Sequence, residues 1–170
     1  CMYPQQLQTG IANPSLEESL AYPADPDSEY GWEKLFSERL YLAYARNHNL
    51  HVRIARLHNI YGPEGSWNNG KEKSPAALCR KIALSKINNI KDIEVWGDGN
   101  QTRSFMYITD CLEGTQKLFN SQLVDPYNVG SDEQVSINQM IDMIEEIADY
   151  KVERKYLLDK PKGVRGRSSD

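Results

Sequence analysis

The sequence predicts an α/β fold for this chain of 170 residues, and three observations carry that prediction. Apolar side chains recur every three or four positions over residues 29–47, which is the period of an amphipathic helix. A β-rich segment, HVRIARL (51–57), follows directly, in the helix-then-strand order typical of parallel sheets. Further helical and β-rich segments alternate to the end of the chain. We therefore expect one α/β unit with a mixed second half.

The first half is predicted to hold two loops around the first helix and strand. Residues 14–28, PSLEESLAYPADPDS, are punctuated by Pro, Asp and Ser and are typical of a surface loop. The glycine-rich segment 58–73 has no period, and loops of this length are commonly functional. The helix between them carries an apolar stripe made of Trp32, Leu35, Phe36, Leu40, Ala43 and Tyr44.

Two helices and a pair of strands are predicted next. Residues 74–87 open with Ser74 at a cap position and a proline in the first turn, as helices often do. Residues 93–108 are typical of two strands around the Gly97-Asp98-Gly99 turn. A helix over 109–119 is expected to be capped by Thr109 or Asp110.

The last elements are predicted to be a short strand within 126–131, a helix over 136–150 and a final strand over 151–157. The helix has Ser136 as its cap and the clearest apolar stripe in the chain, consisting of Ile137, Met140, Ile141, Ile144 and Ile147.

The composition argues against several classes of function. With 20 Lys and Arg against 24 Asp and Glu, no overall field attracts nucleic acid or anionic lipid. No apolar run approaches the roughly 18 residues that a membrane-spanning helix needs. The cysteines Cys1, Cys79 and Cys111 are scattered and odd in number, without a CxxC pair. We expect a cytoplasmic protein without metal, membrane or nucleic-acid partners.

We also expect these residues to be part of a longer protein. The sequence starts with Cys rather than Met and ends in GVRGRSSD without a terminal helix. Its apolar share of 39% is low for a self-contained core.

Tyr30 and Lys34 form a candidate catalytic pair near the start of the first helix. Residues four apart share a helix face, and an ammonium near a phenol stabilises the phenolate. Such a tyrosine can take a proton from an alcohol while a cofactor accepts the hydride. Taken alone, the spacing is more typical of an ordinary helical pair with Tyr30 packed and Lys34 solvated, because Tyr-x-x-x-Lys often occurs by chance.

Five blocks of sequence place this pair in a family context. The segments CMYP, EYGWEK, ARLHNIYGP, WGDGNQTRSFMYITD and YNVGS occur in this order and span most of the chain. They resemble the C-terminal part of the extended short-chain dehydrogenases/reductases, a family of NAD-dependent nucleotide-sugar epimerases and dehydratases. The stretches LHNIYGPEGSWNNGKEKSPAALCRK and GVRGRSSD are most similar to the subfamily of GDP-mannose 3,5-epimerases.

The resemblance implies a division of the chain. Residues 1–60 would be the C-terminal portion of a doubly wound, Rossmann-type NAD-binding domain, whose N-terminal half with the glycine-rich phosphate loop is absent. Residues 61–170 would be mainly a small α/β substrate-binding lobe, with short returns to the Rossmann sheet. The family also implies that the full-length protein forms a homodimer, and that the tyrosine helix is part of the contact between the two subunits. The stripe of Leu35, Leu40 and Tyr44 fits that contact, although an intramolecular core explains it equally well.

The implied activity is that of an isomerase. Tyr30, assisted by Lys34, would remove the proton of the sugar C4 hydroxyl while hydride passes to NAD⁺. The resulting 4-ketone acidifies the protons on C3 and C5, and inversion then needs acid/base groups on both ring faces. The family places a cysteine and a lysine there, matching Cys1 and Lys73. We expect residues 1–170 alone to be inactive.

The implied ligand contacts extend over the whole chain. Tyr30, Lys34 and His58 would contact the cofactor. The substrate contacts would be Cys1, Asn59, Glu72, Lys73, Ser74, Lys81, Gln101, Thr102, Arg103 and Arg165. Arg103 suits the diphosphate because a guanidinium binds phosphate in a bidentate manner. Some of these residues also have an ordinary interpretation. Cys1 can be a small apolar side chain, Lys73 can be solvated, and the cations of the second helix can lie on its exposed face.

Three alternative functions remain open on the sequence alone. A nucleotide-sugar 4-epimerase needs neither Cys1 nor Lys73, and a 4,6-dehydratase needs a carboxylate near the tyrosine, where no convincing Asp-Glu pair is found. A non-catalytic nucleotide-sugar-binding module is the third.

Overall fold

The computed structural model describes residues 2–9, 15–160, 166 and 168–169, and it confirms the α/β fold class. Cys1 and Arg165 lie outside the described residues. Short 3₁₀ turns occupy Gln5–Gln8 and Glu18–Ala21. In chain order the other elements are β1 (Ser15–Leu16), α1 (Glu29–His48), β2 (Ala55–Leu57), β3 (Ile60–Tyr61), α2 (Ser74–Asn88), β4 (Asp92–Trp96), β5 (Thr102–Ser104), β6 (Met106–Tyr107), α3 (Ile108–Asn120), β7 (Tyr127–Val129), β8 (Gln134–Ser136), α4 (Ile137–Ala148), β9 (Glu153–Leu157) and β10 (Ser168–Ser169).

Strand pairing is mostly parallel. β1 pairs with β10, β2 with β7, β3 with β6 and β4 with β9, all in parallel, whereas β5 and β8 are antiparallel. The longest ladder, β4 with β9, runs from Asp92 opposite Glu153 to Trp96 opposite Leu157. Parallel partners need long crossover connections, and the intervening helices provide them.

The two strands predicted around the glycine turn are present but do not form a hairpin. The backbone amide of Gly97 extends the β4–β9 ladder by donating to the carbonyl of Leu157 at 2.9 Å. The chain then turns at residues 97–101 and β5 pairs with β8 instead. The partner of β4 is therefore β9, a parallel strand about 60 residues further along the chain, and not the next strand.

The predicted loop over 14–28 is in part an ordered element. Leu16 in β1 and Ala21 are fully buried, together with Tyr3 and Leu35. Proline and acidic residues therefore mark the turns of this segment, while two of its apolar side chains, Leu16 and Ala21, insert into a core. The predicted loop over 58–73 likewise contains a short strand, β3. The strand predicted over 51–57 is shorter than expected and covers only Ala55–Leu57.

Helix caps were predicted with mixed success. Ser136 caps α4 as expected, with its Oγ accepting from the amide of Gln139 at 3.1 Å in a reciprocal capping box. Ser74 is instead the first residue of α2, whose cap position is Lys73. α3 begins at Ile108, so neither Thr109 nor Asp110 is its cap.

The larger apolar core joins α2, β4 and α4. Its buried members are Leu78, Ile82, Ile93, Val95, Ile137, Met140 and Ile141. Ile147 of the predicted α4 stripe is 86% exposed and lies outside this core. In α1, only Leu35 of the predicted stripe is buried, because the helix turns Gly31, Leu35 and Glu38 toward the rest of the chain. The remaining apolar face of α1 is exposed, with Phe36 at 68%.

A buried polar network joins the N-terminal segment to α1, β2 and β7. Arg56 donates from Nε and Nη2 to the two carboxylate oxygens of Glu38, at 2.9 and 2.8 Å. Its Nη1 donates to the Tyr3 hydroxyl and to the carbonyl of Glu18. The Tyr3 hydroxyl in turn donates to Asn128 Oδ1 at 2.6 Å. The network satisfies a charge pair whose two side chains are only 4% and 3% exposed.

Among the described residues, no helix has both the length and the apolar character required to span a bilayer.

We expect Arg56→Ala to lower the free energy of unfolding by about 3–5 kcal/mol, because it leaves the Glu38 carboxylate buried without its partner. Urea denaturation followed by circular dichroism measures this. The exposed pair Lys117–Glu113 is the control, and Lys117→Ala should leave the transition unchanged. An Arg56→Met/Glu38→Leu double variant that is no more stable than Arg56→Ala would contradict this account.

Glu145 gives a pH-dependent contribution to stability. Burial alone would raise the pKa of this carboxyl, but the amide of Val152, the Lys151 ammonium and the Arg154 guanidinium together lower it. A lowered pKa means that the contribution is present above the unfolded value, about 4.3, and is lost as the pH falls through the folded value.

Glu145→Gln should therefore destabilise the chain by about 1.5–3 kcal/mol at pH 7. The difference from the parent should shrink as the pH is lowered below about 4. Urea midpoints measured from about pH 3 to 7 test this, and a difference that grows in acid would show that the sign is wrong.

Candidate active site

The predicted catalytic pair lies in the first turns of α1. Ser28 caps the helix by accepting a hydrogen bond from the amide of Gly31, so the position of Tyr30 is set at a rigid helix end. The Lys34 ammonium lies 5.2 Å from the centre of the Tyr30 ring. Tyr30 is 60% exposed, and its phenol is open to a ligand. The structure thus brings these two side chains together on one face, as the spacing predicted.

Lys34 is charged in this arrangement. A hydrogen bond and an ion pair with Glu33, at 3.1 Å, raise the pKa of the Lys34 ammonium. A cation beside Tyr30 stabilises a developing phenolate. The tyrosine oxygen can therefore accept a proton in its phenolate form, and the Lys34 ammonium balances the negative charge of that phenolate.

The predicted substrate contacts converge in a groove of about 640 Å³ between α2, β4 and the residues that follow the glycine turn. Five of the predicted residues line it: Glu72, Ser74, Lys81, Gln101 and Arg103. They come from two separate stretches of the chain, 72–81 and 101–103. Their spacing in the sequence does not predict that they meet, and it is the tertiary structure that brings them together.

Three cations give the groove its charge. Arg80, Lys81 and Arg103 line it, with Glu72 and Glu94 as the carboxylates. Burial lowers the pKa of Lys81, and the nearby Arg80 charge lowers it further against the opposing effect of Glu94. The Lys81 ammonium donates to the carbonyl of Glu94 at 2.6 Å. A cationic groove of this kind suits a phosphorylated ligand.

Two acceptors in the groove wall are buried without a hydrogen-bond partner among the described residues, namely Glu72 Oε2 and Gln101 Oε1. The second polar atom of each side chain does have a hydrogen-bond partner. Gln101 Nε2 donates to the carbonyl of Trp96 at 2.9 Å, and Glu72 Oε1 accepts from Arg80 at 2.7 Å. The backbone amide of Glu72 itself, followed by the Arg80 hydrogen bond, lowers the pKa of the Glu72 carboxyl.

Other predicted residues do not line this groove. Thr102 is paired with Ser136 in the β5–β8 ladder. Asn59 has a left-handed φ of 33° and donates from Nδ2 to the carbonyl of Ser104 at 3.0 Å. It thereby ties the bend between β2 and β3 to the segment that carries Arg103. Lys73, at the cap position of α2, is exposed at the end of the glycine-rich loop.

His58 is a packed side chain. It is 7% exposed, its Nε2 lies 3.0 Å from Asn128 Oδ1 and its ring is 6.0 Å from that of Tyr3. It belongs to the same polar cluster as Arg56, and its contact with a cofactor stays a prediction. Cys1 and Arg165, the remaining predicted site residues, lie outside the described residues.

Sequence reasoning missed Trp96 and Glu94 as groove residues. Both lie on β4, where Ile93 and Val95 are buried and the alternate positions are open. Trp96 is 51% exposed and lines the groove beside Gln101. The alternation of the strand contains this signal, because a large aromatic side chain on the polar face of a strand is unusual.

Tyr30 and Lys34 also offer the donor set that a dinucleotide cofactor requires. An exposed hydroxyl and an ammonium on one helix face can contact ribose hydroxyls and a nicotinamide ring at the same time. These residues therefore fit NAD. No G-x-x-G-x-x-G segment occurs among these 170 residues.

The fold is that of the Rossmann-type nucleotide-sugar epimerases. UDP-glucose 4-epimerase from Thermotoga maritima superimposes with a TM-score of 0.83 at 20% identity, over 99% of this chain and 52% of that one. UDP-glucuronic acid 4-epimerase from Bacillus cereus, in complex with UDP-glucuronic acid and NAD, gives a TM-score of 0.74 at 26% identity, over 99% and 51%.

Sequence comparison identifies the family. Residues 1–130 match the model of the NAD dependent epimerase/dehydratase family. The chain is 46% identical over 170 residues to GDP-mannose 3,5-epimerase of Arabidopsis thaliana, covering all of this chain and 44% of that protein. It thus spans less than half the length of this relative. The chain belongs to the NAD dependent epimerase/dehydratase family.

The turn that carries the chain from β4 to Gln101 and Arg103 depends on Gly99. Its φ is +73°, and a Cβ there would lie 2.3 Å from Asn138 Oδ1. Gly70 has a similar φ of +78° but open space around it. The two glycines therefore separate backbone strain from steric contact.

We expect Gly70→Ala to cost about 1 kcal/mol from backbone strain, and Gly99→Ala to cost about 1–3 kcal/mol more from overpacking. Chemical denaturation of both variants measures the difference. Asn138→Ala has a cost of its own, because its side chain bonds Asp98 and Tyr156, but the Gly99→Ala/Asn138→Ala double variant should cost less than the sum of the two single variants. Equal costs for the two glycine variants would show that the contact with Asn138 does not restrict the turn.

Proposed function

We propose that this protein is an NAD-dependent epimerase of a nucleotide sugar, and that its reaction is inversion at C3 and C5 of GDP-mannose through a 4-keto intermediate. The observation that carries the proposal is the convergence of Glu72, Ser74, Lys81, Gln101 and Arg103 in one cationic groove. The 46% identity to a GDP-mannose 3,5-epimerase over the whole chain supports the choice of substrate.

Tyr30 is the proton acceptor of the first step. Its phenol is exposed at the helix end, and the Lys34 ammonium lies 5.2 Å from the ring. The chemistry that NAD supplies when bound is the reversible oxidation of the C4 hydroxyl. Tyr30 takes the hydroxyl proton, Lys34 stabilises the phenolate, and the same tyrosine returns the proton when C4 is reduced again.

Lys73 and Cys1 are the acid/base groups for the second step. A 4-ketone makes the protons on C3 and C5 removable, and inversion requires proton transfer on both faces of the ring. Lys73 lies between Glu72 and Ser74, which both line the groove, and we assign it to one face of a sugar held there. Cys1 is assigned to the opposite face through the family resemblance.

The groove binds the diphosphate and the base. Arg103 and Lys81 provide charge for the phosphates, and the N-terminal turn of α2 presents backbone amides beside Ser74. Trp96 offers an aromatic surface at the far end. The negative overall charge of −4 is thus compatible with an anionic substrate, because binding depends on local cations.

The functional unit is proposed to be a cytoplasmic homodimer. The exposed apolar face of α1 supports this, with Phe36, Leu40 and Tyr44 each at least 44% exposed. A second copy of α1 would cover it and remove apolar area from water.

Deuterium incorporation into GDP-mannose separates this function from its alternatives. We expect the protein, in the form that its gene encodes, to exchange the C3 and C5 protons with D₂O, as followed by NMR. Lys73→Gln should reduce this exchange by about 10²–10⁴-fold because a proton-transfer group is lost. Lys71→Gln, in the same exposed loop, is the matched control and should leave the rate unchanged.

Tyr30→Phe should abolish both the exchange and the oxidation at C4, since the ketone never forms. Inversion at C4 without solvent exchange would instead identify a 4-epimerase. Binding of GDP-mannose without any turnover would identify a non-catalytic module.

A further inference from the structure

The glycine-rich loop between β3 and α2 is held by very little apolar packing. Residues 63–71 are all exposed, and Trp67 at its tip is 63% exposed. Its internal hydrogen bonds are local, from Asn69 to Ser66 and from the Lys71 amide to Asn69. A loop without buried side chains depends on individual polar contacts for its position.

One side chain of α2 supplies those contacts. Arg80 Nε donates to the carbonyl of Trp67 at 2.9 Å, and its Nη2 donates to Glu72 Oε1 at 2.7 Å. In the part of the chain that the structure describes, these are the side-chain hydrogen bonds that tie residues 63–72 to a neighbouring element. They hold the loop at its tip and at its end.

We propose that Arg80 is a positioning residue, which fastens this loop to α2 and thereby sets the place of Lys73 at the groove. The inference deepens the proposed function, on which it rests. Arg80 acts through Glu72, the residue that directly precedes Lys73. On its other side Lys73 is held by α2, since its carbonyl accepts from the amide of Ala77 at 3.0 Å.

The chemistry of the contact explains why an arginine is needed. The guanidinium directs donors to two acceptors in different directions from one rigid plane, which an ammonium on a flexible stem does not do. Arg80 also compensates a buried carboxylate. The second oxygen of Glu72 has no hydrogen-bond partner among the described residues, so without Arg80 the carboxylate would lose its ion pair and its side-chain donor, and the side chain would move toward water.

The loop itself gives a readout that does not depend on activity. Hydrogen–deuterium exchange and mass spectrometry of the peptide covering residues 62–73 measure its opening in the protein as its gene encodes it. We expect Arg80→Gln to speed exchange in this peptide on the order of tenfold, and Arg80→Lys to give an intermediate value. Arg46→Gln, at an exposed arginine in the last turn of α1, should change nothing.

The catalytic readout separates positioning from general damage. Arg80→Gln should slow proton exchange at the sugar carbon served by Lys73 by about 10–100-fold, since small misplacements of a catalytic group are costly. At saturating GDP-mannose, the rate of C4 oxidation in a single turnover, which depends on Tyr30, should fall by less than about threefold. Saturation removes any effect of the lost groove cation on binding, and the hydrogen bonds of Arg80 go to Trp67 and Glu72 rather than to α1.

Each outcome decides the inference. Unchanged exchange of the loop in Arg80→Gln would overturn the anchoring role, and a freed loop with unchanged sugar exchange would overturn the link to Lys73. Equal losses in both chemical steps would mean a structural role only. If Arg80→Gln does not fold, Arg80→Lys takes its place, and wild-type behaviour of Arg80→Lys in both readouts would overturn the need for a guanidinium. Failure of the parent to exchange C3 and C5 would refute the proposed function, while the loop measurement would still judge the anchor.

Discussion

The ion pair between Arg56 and Glu38 is the constraint on which the first half of this structure depends. Both side chains are almost completely buried, so each has lost its hydration and must be satisfied by protein groups. Burial lowers the pKa of Arg56, but the bonds with Glu38 and Tyr3 outweigh it and the guanidinium stays charged. Segments that are distant in sequence meet at this pair, because the remaining donors and acceptors come from Tyr3, Glu18 and Asn128.

This network has a direct consequence for the catalytic helix. Glu38 lies one and two turns beyond Lys34 and Tyr30 on α1, at spacings of four and eight residues. Holding Glu38 against Arg56 therefore sets the rotation of the helix about its axis, and with it the direction in which the tyrosine and lysine project. The partner of Arg56 across the sheet is Asn128, so the same network also defines the register of β2 with β7. A buried pair of this kind contributes more to specificity than to net stability.

The groove rests on a different foundation. Its walls belong to α2 and β4, which are packed against α4 through an apolar core that includes Ile82, Val95 and Ile141. Two of its cations, Arg80 and Lys81, lie on α2, and the third, Arg103, lies on β5. The candidate catalytic pair is thus positioned by a polar network, and the ligand groove is positioned by apolar packing. The glycine-rich loop with Lys73 belongs neither to the polar network nor to the apolar core, so its position depends on its polar anchor at Arg80.

The sequence by itself determined the features that depend on neighbours along the chain. The helical period of α1, the capping box of Ser136 and the shared face of Tyr30 and Lys34 follow from local geometry. The blocks shared with the family also pointed to five of the residues that line the groove. The division into domains at residue 60 and the roles of the individual site residues stay predictions.

Tertiary structure alone decided which elements meet. The strands on either side of Gly97 have the local pattern of a hairpin, yet each pairs with a strand more than about 30 residues away, because pairing is chosen by what packs on the sheet rather than by proximity along the chain. Leu16 and Ala21 are buried in a segment with loop-like composition. The bond between Tyr3 and Asn128 spans 125 residues. Such contacts carry no local periodicity, since a polar side chain is buried only where distant partners satisfy its hydrogen bonds.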